Sequence, residues 1–497
     1  MGKYSVPVEI RRLKPKGTMV KKVKNGFYVY EHSSKKEAVT NPDGTVTRKT
    51  VNQMGKCIGS ITLKEGFIPN CNRLHDDGLI AKNYGDYAFA AECGKPTLSA
   101  LEDVFNKKDA HRIFCIGVIF CVDGFTYMKR IKSRYDMSYL SYLYPGMLLG
   151  YDALHTLYLD LGTKNQRVAQ FEQDSIDQSS GRVAIDGHVI ACTSENNDLS
   201  EFGYKAQKYG MPQINWITAY DVNSKKTLAS ILASGSEPDK VSVQSLFSRH
   251  TFKETEFLVD RGFNSETDKQ LMSSNGNTYI VPMISNRSSY KNVVSCLKFD
   301  RRRYFVYKKQ KYSSIVYYQE FSVDGKRYIA YKDATREASE RSEYIKKIKD
   351  GKKGYTEEGL IKNDIYFGLF LLETNKTAKN ACAEAVFSSY KDRWTIETYY
   401  NYVRNKSDFN ALYQQDYFMC QGLGFLMSVS GMIFSDIQCV IKDAGMSMED
   451  VMDTVGKLKM VEEGGNWQIK NNVKPVREVC EKIGFEPPLY LAGNLAT

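Results

Sequence analysis

The sequence predicts an α/β protein built on a mixed β-sheet, and two observations carry that expectation. Between Val183 and Ile284, five β-like runs and two helical stretches follow one another in the order β-β-β-α-β-α-β. On either side the texture changes, from a basic stretch with short β-type runs and then helical periodicity before this region to a basic, Tyr-rich segment and a further helix after it.

The elements can be justified in chain order. Near the start, Gly26-Phe-Tyr-Val-Tyr30 and Gly59-Ser-Ile-Thr-Leu63 are short β-type runs, with turn residues at Asn41-Pro-Asp-Gly44 between them. From about Thr97 the spacing of Leu98, Leu101, Val104 and Phe105 is helical, and it continues through Ile113 to Phe125 and the Leu/Tyr-rich stretch 139–159. The five central runs are Val183 to Cys192, Gln213 to Asp221, Thr227 to Ala233, Thr255 to Asp260 and Asn277 to Met283. Helical patterns at Pro238 to Arg249 and Glu266 to Ser274 separate the last three. This is the order of a ribonuclease H-like core, whose first and fourth strands lie side by side and parallel; the assignment rests on order and not on propensity.

After Ile284 the chain alternates basic and aromatic residues, with a hairpin-like Val323-Asp-Gly-Lys326. Ile365 to Leu372 reads as the closing strand, and a helix is expected from about Ala378 through Arg404. The uncharged run Phe418 to Ser435 approaches the length of a membrane span, but Gln421, Ser428, Ser430 and three glycines interrupt it, so a buried helix is expected. From about Ser447 to Gly484 the periodicity is helical, with a break at Gly464-Gly465.

At 497 residues the chain is long enough for about three domains, and its 42% hydrophobic and 26% charged residues are those of a globular protein. Lys and Arg crowd the N-terminal stretch from Ile10 to Lys24, which is not the pattern of a secretory signal, so secretion is not expected. Eleven irregularly spaced cysteines without a C-x-x-C pair read as reduced residues of a cytosolic protein, and the six histidines offer no zinc-ligand spacing.

The net charge of +11 is unevenly placed. Residues 1–50 hold twelve Lys or Arg against four Asp or Glu, and 298–332 hold ten against three, interleaved with seven tyrosines from Tyr304 to Tyr331. Such patches suit a polyanion, because phosphate backbones bind them with release of counterions; a solvated basic face has the same composition. The expected organisation is a basic β-rich DNA-binding module at 1–95, a helical domain or linker at 96–180, a core in two parts at 181–292 and 366–445, a basic Tyr-rich β insertion at 293–365, and a helical tail at 446–497.

Two acids stand in otherwise apolar strands: Asp186 in Val-Ala-Ile-Asp-Gly-His and Asp260 in Phe-Leu-Val-Asp-Arg-Gly-Phe. A carboxylate in a sheet core costs several kcal/mol unless it binds a metal, pairs with a cation or reaches solvent at the strand end. Each alone is also ordinary turn chemistry before a glycine. A third acid lies in Tyr390-Lys-Asp-Arg-Trp-Thr-Ile-Glu397-Thr-Tyr-Tyr-Asn-Tyr-Val-Arg404. At roughly 100° per residue, Tyr390, Arg393, Glu397 and Arg404 share an arc of about 60°, while Ile396, Tyr399, Tyr400 and Val403 take the opposite side. Taken alone, Arg393 and Glu397 are a common surface pair at i, i+4.

Together the three acids resemble the DDE transposases of bacterial insertion sequences, in particular the insertion-sequence-4-like group with the signature Y-(2)-R-(3)-E-(6)-K. Tyr390, Arg393 and Glu397 keep that spacing, and Arg404 stands where the family usually has Lys. The basic Tyr-rich segment occupies the place where the family carries a β-rich insertion before the glutamate helix. The resemblance implies that Asp186, Asp260 and Glu397 are catalytic and hold two Mg²⁺ ions, with Mn²⁺ as a substitute, and that Tyr390, Arg393 and Arg404 bind DNA phosphates. It further implies cleavage at transposon ends, strand transfer into target DNA, a homodimer on paired double-stranded ends, no membrane, and a place on the bacterial nucleoid in the cytoplasm. A non-catalytic DNA-binding repressor and a ribonuclease H-like nuclease without joining activity are the competing expectations. Trp394 is a candidate to stack on a displaced base, although a core role is expected; His188 is left outside the catalytic set, and Asp239 is expected to cap a helix.

Overall fold

In the computed structural model, residues 6–491 are described apart from 24–25, 41–45, 65, 70–79, 193, 195, 204–209, 285–287, 310–311, 324–325, 407–410, 413 and 464–465. The chain divides into two units, 1–79 and 80–497.

In the first unit, Val6, Ile10, Val29 and Ile61 are buried together, with Val20, Phe27, Ile58 and Phe67 packed around them. Val6 precedes a short helix, Val8–Arg12, and the others come from that helix and from four strands, β1 (Thr18–Val23), β2 (Gly26–Thr40), β3 (Val46–Thr62) and β4 (Gly66–Pro69), paired antiparallel in chain order. β2 and β3 run well past this small core, with Lys36 opposite Thr50 and Ala38 opposite Arg48. The turn expected at 41–44 lies outside the described residues, but the strands flanking it pair up to Thr40 and Val46.

The basic module was expected to reach residue 95, yet β5 (Ile80–Asn83) and the helix Gly85–Cys93 belong to the larger unit. There the helices Lys95–Val104, Lys107–Asp123, Met128–Asp136, Tyr151–Thr163 and Gln166–Asp177 lead to the central sheet.

The five central strands are β6 (Arg182–Cys192), β7 (Gln213–Asp221), β8 (Lys226–Ser234), β9 (Glu256–Val259) and β10 (Thr278–Pro282). They lie in the order β8-β7-β6-β9-β10, with β6 parallel to β9 and β9 parallel to β10. This is the expected arrangement, in which the first and fourth strands are parallel neighbours. Helix Asp239–Arg249 follows β8 and helix Glu266–Leu271 precedes β10. Pro238 occupies the cap position that was expected for Asp239, whose side chain is outside the described residues. All nine residues of β7 are buried, as a strand covered on both faces requires. Val183 and Ile185 point into the core shared with Val243 and Leu246, whereas Ala184 points into the opposite core. By strand alternation Asp186 and His188 therefore lie on the Ala184 face.

The insertion does not form a layer of its own. β14 (Leu369–Thr374) pairs antiparallel with β10, and β13 (Lys326–Asp333), β12 (Tyr312–Val323) and β11 (Tyr304–Lys309) continue outward from it. With β15 (Ala411–Leu412) beside β6, the result is one ten-stranded sheet. The insertion is also not purely β, because the helices Ala334–Lys349 and Glu357–Asn363 stand between β13 and β14. The Asp-Gly of the expected hairpin at 324–325 is outside the described residues, and the flanking pair Val323–Lys326 closes the ladder.

Helix Tyr417–Ile441 is long and apolar enough to cross a membrane, yet 83% of its apolar window is buried against the protein. Its glycines are points of close approach and not breaks. A Cβ on Gly422 would stand 2.1 Å from the Tyr158 carbonyl oxygen, and one on Gly431 would stand 2.4 Å from the Tyr399 ring.

The tail departs from the helical expectation. Helices Met448–Val455 and Lys474–Ile483 flank two antiparallel strands, β16 (Lys459–Glu463) and β17 (Asn466–Lys470), and the expected break at 464–465 falls between them. With β18 (Tyr490–Leu491) they form a sheet in the order β18-β17-β16-β5. A strand near residue 80 thus completes a sheet whose other members lie beyond 458, a pairing that no local periodicity records.

Candidate active site

The ladder between β6 and β9 ends at the pair Ile185–Val259. Asp186, within β6, and Asp260, just past the end of β9, are the next residues, so both acids stand where the parallel ladder stops. Asp260 opens the short 3₁₀ turn Arg261–Phe263 and is half-buried. The Asp186 carboxylate accepts the Gly187 N–H at 2.9 Å and meets Arg393 Nη1 at 3.4 Å.

Glu397 is brought to this edge by helix Thr395–Asn401, whose Ile396, Tyr399 and Tyr400 are buried. Tyr399 lies edge-on to Trp216 and stacked on Tyr220, which fixes the helix over β7. Asp186 lies within reach of the charge of the other two acids. Burial raises the Asp186 carboxyl from the usual carboxylate range to about 6; Arg393 and the Gly187 N–H oppose that, while Glu397 and Asp260 add to it by charge repulsion.

Tyr390 and Arg393 join the same cluster. The Arg393 guanidinium carbon is 5.9 Å from the centre of the Tyr390 ring, and the Tyr390 ring lies 6.4 Å from Phe370 on β14. Burial raises the Tyr390 phenol above its ordinary range, Arg393 works against this, and Asp260 and Asp186 reinforce it. Burial also opposes the charge of Arg393, but Tyr390, Asp186 and Asp260 outweigh it and hold the guanidinium protonated.

The expected continuous helix is broken. Helix Ala383–Asp392 ends at Arg393, and the N–H groups of Arg393, Ile396 and Glu397 bond to carbonyls three residues back instead of four. This tight turn is held from outside, since Asp392 bridges Arg182 Nη2 at 3.2 Å and Lys309 Nζ at 2.7 Å. Beyond Asn401 the chain widens into a π turn, Tyr402–Lys406. A regular 100° spacing therefore does not describe Tyr390 to Arg404. Arg404 lies exposed on the π turn, where its guanidinium donates to Asn401 Oδ1 at 2.8 Å. Trp394 is carried outward by the tight turn and is 66% exposed, which overturns the core role expected for it.

Two contributors were not singled out from the sequence. Asp392 reads as one more charge on an amphipathic helix, and only the partners Arg182 and Lys309, remote in the chain, reveal its bridge. Tyr400 reads as a core residue, yet its hydroxyl reaches the Asp186 backbone.

The donor set suits a hard divalent cation, being three carboxylates, of which Asp186 pairs with Arg393. Burial, and to a lesser degree Glu397 and Asp260, disfavour the Asp186 carboxylate, the form that a bound cation would favour. Among the described residues, no three such groups are gathered closely enough to hold one ion.

Residues 177–411 match the family model of the transposase DDE domain. The matched stretch of transposase DDE domain is a little under half of the chain and contains Asp186, Asp260, Tyr390, Arg393, Glu397 and Arg404. No curated protein matches. Among solved structures, the cryo-EM structure of a piggyBac transposase synaptic complex with hairpin DNA aligns over 71% of this chain and 71% of that one, at 11% identity and a TM-score of 0.38.

Proposed function

We propose that the chain is a DDE transposase that binds the terminal inverted repeats of an insertion sequence, cuts at the ends and joins them to target DNA. What supports this reading is that Asp186 and Asp260 follow the last pair of the β6–β9 ladder, with Glu397 near enough to act on the Asp186 carboxyl, inside the stretch that matches the transposase DDE domain. Asp186, Asp260 and Glu397 would hold two divalent ions, Mg²⁺ with Mn²⁺ as a substitute; bound there, they offset phosphodiester charge and favour an oxygen nucleophile at neutral pH.

The residues of the chain do the rest. Arg393 and Tyr390 border the acids and serve as donors to phosphate oxygens of the DNA end, with Arg393 supplying charge-assisted hydrogen bonds. Arg404, exposed seven residues beyond Glu397, contacts the backbone further from the cut. Water attacks first to free a 3′-OH, which then attacks a target phosphodiester, the departing strand leaving with its own 3′ oxygen. The active form is a homodimer on two paired ends, and the compartment is the bacterial cytoplasm, on the nucleoid.

The test is incubation of end-bearing double-stranded DNA with Mg²⁺ or Mn²⁺, comparing the native protein with Asp260→Asn. The native protein should give both cut and joined products. If the variant cuts and joins at the native rate, the acid site is wrong; if the native protein cuts without joining, the chain is a nuclease.

A further inference from the structure

We propose that Tyr400 is a positioning residue that fixes the strand carrying Asp186 against the helix carrying Glu397; this rests on the transposase reading for its consequences. Tyr400 lies three residues after Glu397 in the same helix, so it stands about one turn along from the acid. Its hydroxyl donates to the main-chain carbonyl oxygen of Asp186 at 2.8 Å. One hydrogen bond thus links the backbone of the first acid to the helix of the third.

The place of that bond in the sheet gives it weight. Among the described residues, β6 is paired on the β9 side as far as Ile185, and with β15 from Ala191. The residues from Asp186 to Ile190 lie between those two described ladders, next to the acids. Tyr400 bonds to the first of these residues, and its ring stacks on His188, two residues along the same face, at 4.9 Å and 24°. Thr218 of β7, paired with Asp186 in the β6–β7 ladder, lies beside the same phenol.

The phenol is suited to the task. It is buried, and its hydroxyl meets a main-chain acceptor there. A buried phenol without an acceptor is costly, so the ring and its acceptor specify each other's position. Phenylalanine at this position would keep the volume and the stacking on His188 while deleting only the tether.

The experiment compares the native full-length protein with Tyr400→Phe, with Tyr400→Leu as a control for loss of the ring. Mn²⁺ binding is read from the electron paramagnetic resonance signal of free Mn²⁺, DNA-end affinity from fluorescence anisotropy in EDTA, and end cutting under single-turnover conditions. Residues that orient metal ligands typically matter by about 10-fold or more in affinity or activity. We expect Tyr400→Phe to bind Mn²⁺ about 10-fold more weakly, to cut correspondingly more slowly with partial recovery at high Mn²⁺, and to keep its DNA affinity within about twofold. Native Mn²⁺ affinity in Tyr400→Phe, or a loss of DNA affinity equal to the loss of cutting, overturns the positioning role. A native protein that binds Mn²⁺ but never cuts end DNA defeats the transposase reading alone, and the Mn²⁺ comparison still decides the tether.

Discussion

The strands β6 and β9 and the outer hairpin β11–β12 belong to one sheet, yet charge has opposite meanings in them. β9 is buried along its whole length and β7 beside β6 likewise, so an acid continuing either parallel strand needs a chemical reason to be there. In the outer hairpin only one face is covered. Phe305 and Val316 turn inward, Phe305 against Phe387 and Tyr331 of the neighbouring β13, whereas Tyr304, Val306, Ile315 and Lys308 turn outward. The interleaved tyrosines and lysines that suggested a polyanion surface are thus divided between core and solvent. A charged or aromatic residue becomes informative only once the number of covered faces is known.

The comparison breaks most severely if the acids prove dispensable. Asp260→Asn or Glu397→Gln should lower single-turnover end cutting by at least about 10³-fold while DNA binding in EDTA is kept. Removing outward residues such as Tyr304 and Lys308 should instead weaken DNA affinity, with a shallower salt dependence for the lysine. Equal effects on cutting from both regions would erase the distinction.

A second contrast lies within the insertion. Tyr331 is fully buried and its hydroxyl donates to the Ala383 carbonyl at 2.8 Å, whereas Tyr304 is exposed. Tyr331→Ala should cost about 3–5 kcal/mol in denaturant unfolding, and Tyr304→Ala less than about 0.5 kcal/mol. Similar losses would mean that the exposed face is covered in solution.

The raised carboxyl of Asp186 makes a smaller, pH-dependent prediction. The folded chain keeps that proton up to about pH 6. The unfolded chain releases it near pH ~4. Folding stability from this group therefore falls as pH rises from ~4 to ~6 and stays low above that. In metal-free protein, Asp186→Asn should raise stability by about 2 kcal/mol at pH 8 and have no effect below pH ~4. Thermal melts across that range check the sign, and a destabilised variant at pH 8 would show that Arg393 dominates the site.

The smallest expected effect is at Trp394. Because it is exposed, Trp394→Ala should change unfolding free energy by less than about 0.5 kcal/mol. A change seen only in affinity for end DNA would place the indole on the DNA; a large loss of stability would return it to a core.

Much of the fold and site was legible in the residues themselves. The order of the seven central elements, the two acids in apolar strands, the spacing of Tyr390, Arg393 and Glu397, and the burial of the helix beginning at Tyr417 all follow from local patterns of polarity. These are legible because periodicity and a charge in an apolar run depend on a few consecutive residues. Tertiary structure alone decided the rest. It joined the insertion edge to edge with the core, paired β5 with β16 across most of the chain, tightened the glutamate helix at Arg393 through the Asp392 bridge, turned Trp394 outward, and aimed Tyr400 at the backbone of Asp186. In each case the partner lies far away in sequence, and a hydrogen-bond ladder, an ion pair or a buried hydroxyl takes its meaning from that partner.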